Sequence, residues 1–271
     1  MKNMKVSPRT VGSVRAPDGV EIRFEDDGQG EPDLVFVHGW SCDRSYWRAQ
    51  MDHFAVSHRV VTVNLGGHGD SSLGRKDWTM TAFGEDVRAV VKALDLRKVV
   101  LVGHSMGGPV IVEAARLLPE RVVALVPVDV FHDVEYRWSV EELEAYLAPL
   151  RADFRKRTEA LVRSFFPARA DSKLVEWVAC DMAEAPPEVG ISAMENVRRY
   201  NQAEGLASVK VPVRLINSDF WTTDVEAARR YKPDVQLAVM PGVGHFLMIE
   251  APDEFNRLLA RAVSELVVTA K

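Results

Sequence analysis

Short apolar runs alternate with longer segments of helical periodicity along most of this chain. Eight runs have the valine- and leucine-rich or alternating pattern of strands, at residues 12–15, 20–25, 34–37, 59–64, 99–102, 122–128, 211–216 and 235–239. Helical spacing is clearest at residues 45–56, 81–94 and 252–267. Strands that alternate with helices predict a mostly parallel eight-stranded sheet with helices on both faces, since parallel strands need crossover connections.

One interval breaks this alternation. Residues 132–207 are rich in helical patterns and contain no convincing strand, and a capping box at Ser139–Glu142 opens a helix there. We therefore expect an α/β core formed by residues 1–131 and 208–271, with residues 132–207 inserted as a helical cap over the strand ends. The cap's apolar side chains are candidates for lining a substrate pocket: Phe165, Phe166, Trp177, Met182 and Met194.

The most informative motif is G-x-S-x-G at residues 103–107. It follows an apolar run and precedes a helical pattern, so Ser105 is expected on a sharp turn between a strand and a helix. Small residues at Gly103 and Gly107 allow the close approach that such a turn requires. This context predicts a nucleophilic Ser105 with the positive end of a helix behind it.

A serine hydroxyl needs a base, and the base needs a carboxylate that holds its ring. On a fold of this kind the order after the serine is acid, then histidine. His245 lies in a glycine-containing loop after the last predicted strand, whereas His132 comes too early in the chain. The sequence therefore predicts His245 as the base.

Three aspartates are candidates for the acid. Asp219 lies just past the strand at 211–216 and is favoured, because it has no other evident role. Asp224 is explained by a predicted capping box with Thr223 as N-cap and Glu226 three positions on. Asp129 follows the preceding strand and remains open as the third candidate.

An oxyanion hole is predicted from two backbone N–H groups. One belongs to Met106, directly after the nucleophile, and the other to Trp40, which follows the run at 34–37 and Gly39. The neighbouring histidines, His38 and His104, flank tight turns and are expected to make structural hydrogen bonds.

Four motifs in order resemble the α/β-hydrolase superfamily, in particular its small esterase, lactonase and cofactor-free haloperoxidase branch. They are residues 37–40, 66–71, 103–108 and 242–246. The resemblance implies the α/β-hydrolase fold and a Ser-His-Asp triad, and it aligns Asp219 with the acid. Two departures are Asn64, where the family usually has aspartate, and the shortened loop at residues 217–219.

Bulk properties are those of an ordinary globular protein, with 47% hydrophobic and 27% charged residues. A net charge of −5 without a basic cluster argues against nucleic acid or a membrane as partner. Cys42 and Cys180 form no disulfide framework, although Cys42 is placed to line the cleft. Residues 1–5 are not followed by an apolar segment, so a cytoplasmic location is expected.

These features predict a serine hydrolase of carboxylic esters or lactones of small to medium apolar substrates, working without metal or organic cofactor. A carbon–carbon bond hydrolase or a perhydrolase would use the same groups. A ligand receptor on the same fold would retain them too, with slow turnover. One fold carries many chemistries, so the substrate is set by the pocket and not by the fold.

Overall fold

A computed structural model describes residues 9–269, and for residues 267–269 only the backbone. Its sheet has eight strands in the order β1-β2-β4-β3-β5-β6-β7-β8, with antiparallel pairs at β1–β2 and β2–β4 and parallel pairs elsewhere. The strands are β1 Thr10–Arg15, β2 Glu21–Gly28, β3 Asp33–Val37, β4 Arg59–Val63, β5 Val99–His104, β6 Val122–Val128, β7 Arg214–Ser218 and β8 Gln236–Met240. The predicted mostly parallel sheet is confirmed.

The helices form two groups along the chain, those outside the connection between β6 and β7 and those within it. The helices outside the β6–β7 connection are α1 Arg48–Phe54, α2 Met80–Ala93, α3 Gly107–Leu117, α9 Val225–Tyr231, α10 Leu247–Glu250 and α11 Pro252–Thr269. The α2 and α3 helices pack against each other, as do α1 and α11, while α3 and α11 both contact β6. The middle strands β3, β5 and β6 are almost entirely buried, because they are covered from both sides.

Five helices lie between β6 and β7. They are α4 Val140–Ala152, α5 Phe154–Arg163, α6 Ser172–Ala183, α7 Pro187–Arg199 and α8 Gln202–Ser208. The predicted capping box is present at the start of α4, where Ser139 and Glu142 exchange side-chain and backbone hydrogen bonds. We call residues 132–207 the insert.

Two local expectations need correction. The strand predicted at 211–216 begins later, at Arg214, because Pro212 has no N–H to donate and only Val213 forms an isolated bridge. The N-cap of α9 is Asp224 rather than Thr223, since the Asp224 side chain accepts a hydrogen bond from the N–H of Ala227.

Residues 1–8 and 270–271 lie outside the described residues. They include both ends of the expected core and the segment on which the expected cytoplasmic location rests. Across the described part of the chain, no helix combines the length and the apolar character required to cross a bilayer.

Candidate active site

Ser105 lies on the tight turn that joins β5 to α3. Its φ is +52°, a left-handed conformation that non-glycine residues rarely adopt and that often marks functional sites. The turn requires Gly103, because a Cβ there would lie 2.3 Å from the carbonyl oxygen of Gly107. The N–H of Ser105 donates to the carbonyl oxygen of Val128, which fixes the turn to the end of β6. The structure therefore presents Ser105 at the start of a helix, as predicted from the motif.

His245 lies in the loop after β8, and its ring is almost fully buried. Its backbone N–H donates to the carbonyl oxygen of Phe165 in the insert at 2.9 Å. The ring donates from Nδ1 to Oδ2 of Asp129 at 2.6 Å. Within residues 9–269, Nε2 makes no hydrogen bond, and both His245 and Ser105 line one cavity. The contact between Ser105 Oγ and Nε2 is thus not formed here, and such contacts often tighten only when substrate binds.

Asp129 follows β6 directly, in a left-handed conformation with φ +48°. Its Oδ1 accepts from the N–H of Ser218 at 2.7 Å and from the Ser218 hydroxyl at 2.9 Å. Burial opposes ionisation of Asp129, but His132 and His245 outweigh it and hold the pKa of this carboxyl below its usual range. Asp129 is therefore an ionised, fully oriented carboxylate at the histidine.

Asp219 does not have the role expected of it. Its side chain is exposed and accepts a hydrogen bond from the N–H of Gly242 at 2.7 Å, while the His245 ring bonds to Asp129. The reason is local geometry: successive residues of an extended segment point to opposite sides, and Ser218 is the one that faces the site. The favoured acid was wrong, and the third candidate occupies the position.

A second histidine also faces Asp129. His132 Nε2 lies 3.8 Å from Asp129 Oδ2, and His132 Nδ1 lies 3.0 Å from the hydroxyl of Thr223. That hydroxyl accepts from the Asn217 side chain, so its own proton is free to donate to Nδ1. This arrangement places the ring proton of His132 on Nε2, directed at Asp129. His132 was not expected at the site because it comes early in the chain, and its position three residues after Asp129 was the available signal.

The predicted oxyanion donors also border the cavity. Trp40 and Met106 both line it, and their backbone N–H groups make no hydrogen bond within the described chain. The Trp40 indole donates instead to the carbonyl oxygen of Gly190 at 2.7 Å, which attaches this loop to α7. Two unpaired N–H groups beside a nucleophile are what a tetrahedral oxyanion requires.

The cavity has a volume of about 380 Å³ and lies between the strand ends and the insert. Of the candidate pocket residues, Phe165, Met182 and Met194 line it. Phe166 and Trp177 do not: Phe166 is buried in a stack with Phe246, and Trp177 is 41% exposed and packs on Tyr46. Apolar residues of the insert face inward or outward according to helix register, which the sequence alone does not fix.

Three other side chains near the site take structural positions. His38 accepts from the N–H of Leu65, and His104 Nε2 donates to the carbonyl oxygen of His245. Burial lowers the pKa of His38 to about 4 and that of His104 to about 3, so both are neutral. Cys42 lines the cavity, but burial raises the pKa of its thiol well above the usual value.

Within residues 9–269, no group of three acidic, histidine or cysteine side chains is arranged to hold a metal ion.

Comparison with known proteins identifies the family of this chain. The model of the family described as "Alpha/beta hydrolase family" matches residues 34–258, which is most of the chain. The chain belongs to the α/β-hydrolase family. The short loop at residues 217–219 does not supply the carboxylate that contacts His245, and Asp129, after β6, does.

Individual relatives of this α/β-hydrolase are distant. It is 28% identical over 263 residues to a pimeloyl-[acyl-carrier protein] methyl ester esterase of Nitrosospira multiformis, covering 89% of this chain and 98% of that protein. It is 24% identical to the dihydrolipoyllysine-residue acetyltransferase component of an acetoin cleaving system of Pseudomonas putida, covering 86% of this chain but only 64% of that longer protein. A thermophilic esterase from Thermogutta terrifontis superposes with a TM-score of 0.82 at 24% identity, covering 96% and 99% of the two chains.

Proposed function

We propose that this protein is a serine hydrolase that cleaves carboxylic esters or lactones through an acyl-enzyme. The observation that carries the proposal is the hydrogen bond from His245 Nδ1 to Asp129, which leaves Nε2 directed at the cavity that Ser105 lines. The family to which the chain belongs, and the esterases it resembles, are consistent with this chemistry.

In the proposed reaction, Ser105 Oγ attacks the acyl carbon while His245 Nε2 takes its proton. Asp129 orients the ring and stabilises the imidazolium that forms. The oxyanion accepts hydrogen bonds from the N–H groups of Trp40 and Met106. The same imidazolium then protonates the leaving alcohol, and a water activated by His245 releases the acid and restores Ser105.

The insert is proposed to act as the cap that selects the acyl group. Phe165, Met182 and Met194 contribute apolar walls, while the reacting groups come from the strand ends. Substrates of small to medium size fit a cavity of this volume.

Two measurements test the nucleophile. Ser105→Ala is expected to reduce hydrolysis of p-nitrophenyl butyrate to the level that binding and the oxyanion hole alone provide, with an unchanged melting temperature. A fluorophosphonate should add once per chain, at Ser105. Ser172→Ala, at an exposed serine that begins α6, is the matched control and should behave as wild type. Labelling at another residue, or persistent activity in Ser105→Ala, would overturn the assignment.

A further inference from the structure

One wall of the cavity carries an arginine that packs against two adjoining aromatic rings. The guanidinium carbon of Arg198, near the end of α7, lies 4.8 Å from the ring centre of Trp138 and 4.9 Å from that of Tyr146. Its Nη2 donates to the Tyr146 hydroxyl at 3.3 Å. Both Arg198 and Trp138 line the cavity. The two rings hold the planar cation in one orientation, so its position is set before any ligand arrives.

The charge of Arg198 is not neutralised by the protein. No carboxylate of residues 9–269 forms an ion pair with it, whereas the next residue, Arg199, pairs with Glu195 at 2.9 Å. The Tyr146 hydroxyl is its one hydrogen-bond acceptor in the described chain, and its Nε is buried without one. A guanidinium has five N–H donors, so most of the donor capacity of Arg198 is unused.

Other charged groups at the cavity are already engaged. Asp129 is held by His245 and Ser218. Asp133 is exposed, and its Oδ1 accepts from the N–H groups of Glu135 and Tyr136. Among the residues that line the cavity, Arg198 is the permanent cation.

The face of α7 that lines the cavity is apolar at two positions and charged at the third. Met194, Val197 and Arg198 all line it, and the spacings of three and four residues place them on one face of the helix. An apolar chain against Met194 and Val197 would therefore end at the guanidinium. The ligand group that best matches an oriented planar cation is a carboxylate, which accepts two parallel hydrogen bonds from it.

We propose that Arg198 binds a carboxylate carried by the substrate in addition to its scissile ester. The preferred substrates are then half-esters of dicarboxylic acids, or lactones that bear an acid group, rather than purely apolar esters. This inference rests on the proposed ester hydrolysis, but the cation site is also testable without turnover.

The kinetic test compares matched esters. Mono-p-nitrophenyl adipate carries the free carboxylate, and its ω-carboxamide analogue has nearly the same shape without the charge. Wild type is expected to have a lower KM for the acid than for the amide. Arg198→Met, which keeps an unbranched side chain against the two rings, should raise KM for the acid about ten- to hundredfold, the loss expected for a charge-assisted hydrogen bond. Its kcat, and both constants for the amide, should change little.

Two further variants show whether the effect is specific. Arg199→Met removes an exposed arginine from the same turn of α7 and should leave both esters unaffected. Arg198→Lys keeps the charge but loses the planar fork, so it should recover part of the discrimination. Equal KM values for acid and amide in wild type, or an equal loss for both in Arg198→Met, would overturn the proposal and leave Arg198 as a packing residue.

Binding in the Ser105→Ala protein separates this proposal from the proposed function. Adipate titrated calorimetrically should bind to Ser105→Ala and at least tenfold more weakly to Ser105→Ala/Arg198→Met, an effect of about one charge-assisted hydrogen bond. Arg198-dependent binding together with absent ester turnover would retain the carboxylate site and reject the hydrolase. Ester turnover together with adipate binding that does not depend on Arg198 would retain the hydrolase and reject the carboxylate site.

Discussion

At the scale of single residues, the direction in which side chains leave the ends of β6 and β7 decides which carboxylate reaches His245. Ser218 is the last residue of β7 and points at Asp129, so Asp219 must leave on the other side, where it accepts from Gly242. The carboxyl ends of the two strands are joined further by the Asn217 side chain, which bonds to the carbonyl oxygen of Val130 at 2.9 Å.

This geometry makes a pair of opposite predictions for two aspartates. Asp129→Asn should lower kcat by about 10⁴, because an amide stabilises the wrong imidazole tautomer. Asp219→Asn removes only a charge, because the amide oxygen still accepts from the N–H of Gly242, and it should leave kcat close to wild type. Both predictions are tested by measuring kcat for a p-nitrophenyl ester, with melting curves as the control for folding. A large loss in Asp219→Asn and a small one in Asp129→Asn would restore the sequence-based assignment.

The positions of Ser105 and His245 beside one cavity were predictable because their motifs fix the backbone locally. Glycines around Ser105 and His245 are required by close approach and leave few other readings. The carboxylate that contacts His245 was not predictable, since Asp129 and Asp219 each follow a strand of the same sheet. No local sequence pattern indicates which of the two side chains points towards the site. His132 is close to Asp129 in sequence, but the hydrogen bond that orients its ring comes from Thr223, 91 residues away, which no local pattern reveals.

At the scale of elements, periodicity located the strands and the helices of the core but not the inward face of the insert. Val99–His104 is buried at every position, so its pattern predicts a central strand regardless of register. An insert helix instead packs on other helices while another of its faces borders the cavity. Trp177 and Met182 belong to one helix, yet only Met182 reaches the cavity.

The role of the insert can be tested by comparing a residue that lines the cavity with one that does not. Met194→Ala should enlarge the cavity and improve kcat/KM for longer or branched acyl groups relative to acetate, by about ten- to two-hundredfold, the range available to apolar pocket contacts. Trp177→Ala, outside the cavity, should leave the ratio unchanged.

Truncation of the buried Met194 also costs about 2–5 kcal/mol of stability, so the free energy of unfolding must be measured for both variants. A uniform loss over all acyl groups that follows this destabilisation would show that Met194 only supports the insert.

At the scale of the whole molecule, buried histidines make stability depend on pH. Burial lowers the pKa of His38 to about 4 and those of His68 and His104 to about 3. The unfolded chain binds protons at these sites near its ordinary pKa of about 6.5, so the stabilisation is present above that pH and is lost as pH falls towards 4. Asp86 acts in the opposite sense, because burial raises its pKa to about 6. Burial also raises the pKa of Asp33, Asp181 and Glu250, but by smaller shifts, so the three histidines dominate between pH 7 and pH 5.

The free energy of unfolding in urea should therefore decrease from pH 7 to pH 5. Replacing His68 by glutamine removes one of the responsible groups and should flatten this slope, while His53→Gln, at an exposed position, should keep the wild-type slope. An identical pH dependence in His68→Gln and wild type would mean that these histidines are not the source.

The backbone bond from His245 to Phe165 has a consequence for engineering. The loop that carries the histidine rests directly on the insert, so closely that a Cβ at Gly244 would lie 2.3 Å from the Phe165 carbonyl oxygen. The insert is consequently not a detachable module that only contributes selectivity. A chimaera that exchanges it for another family member's insert needs an equivalent carbonyl at this point, because otherwise the loop that carries His245 loses this support.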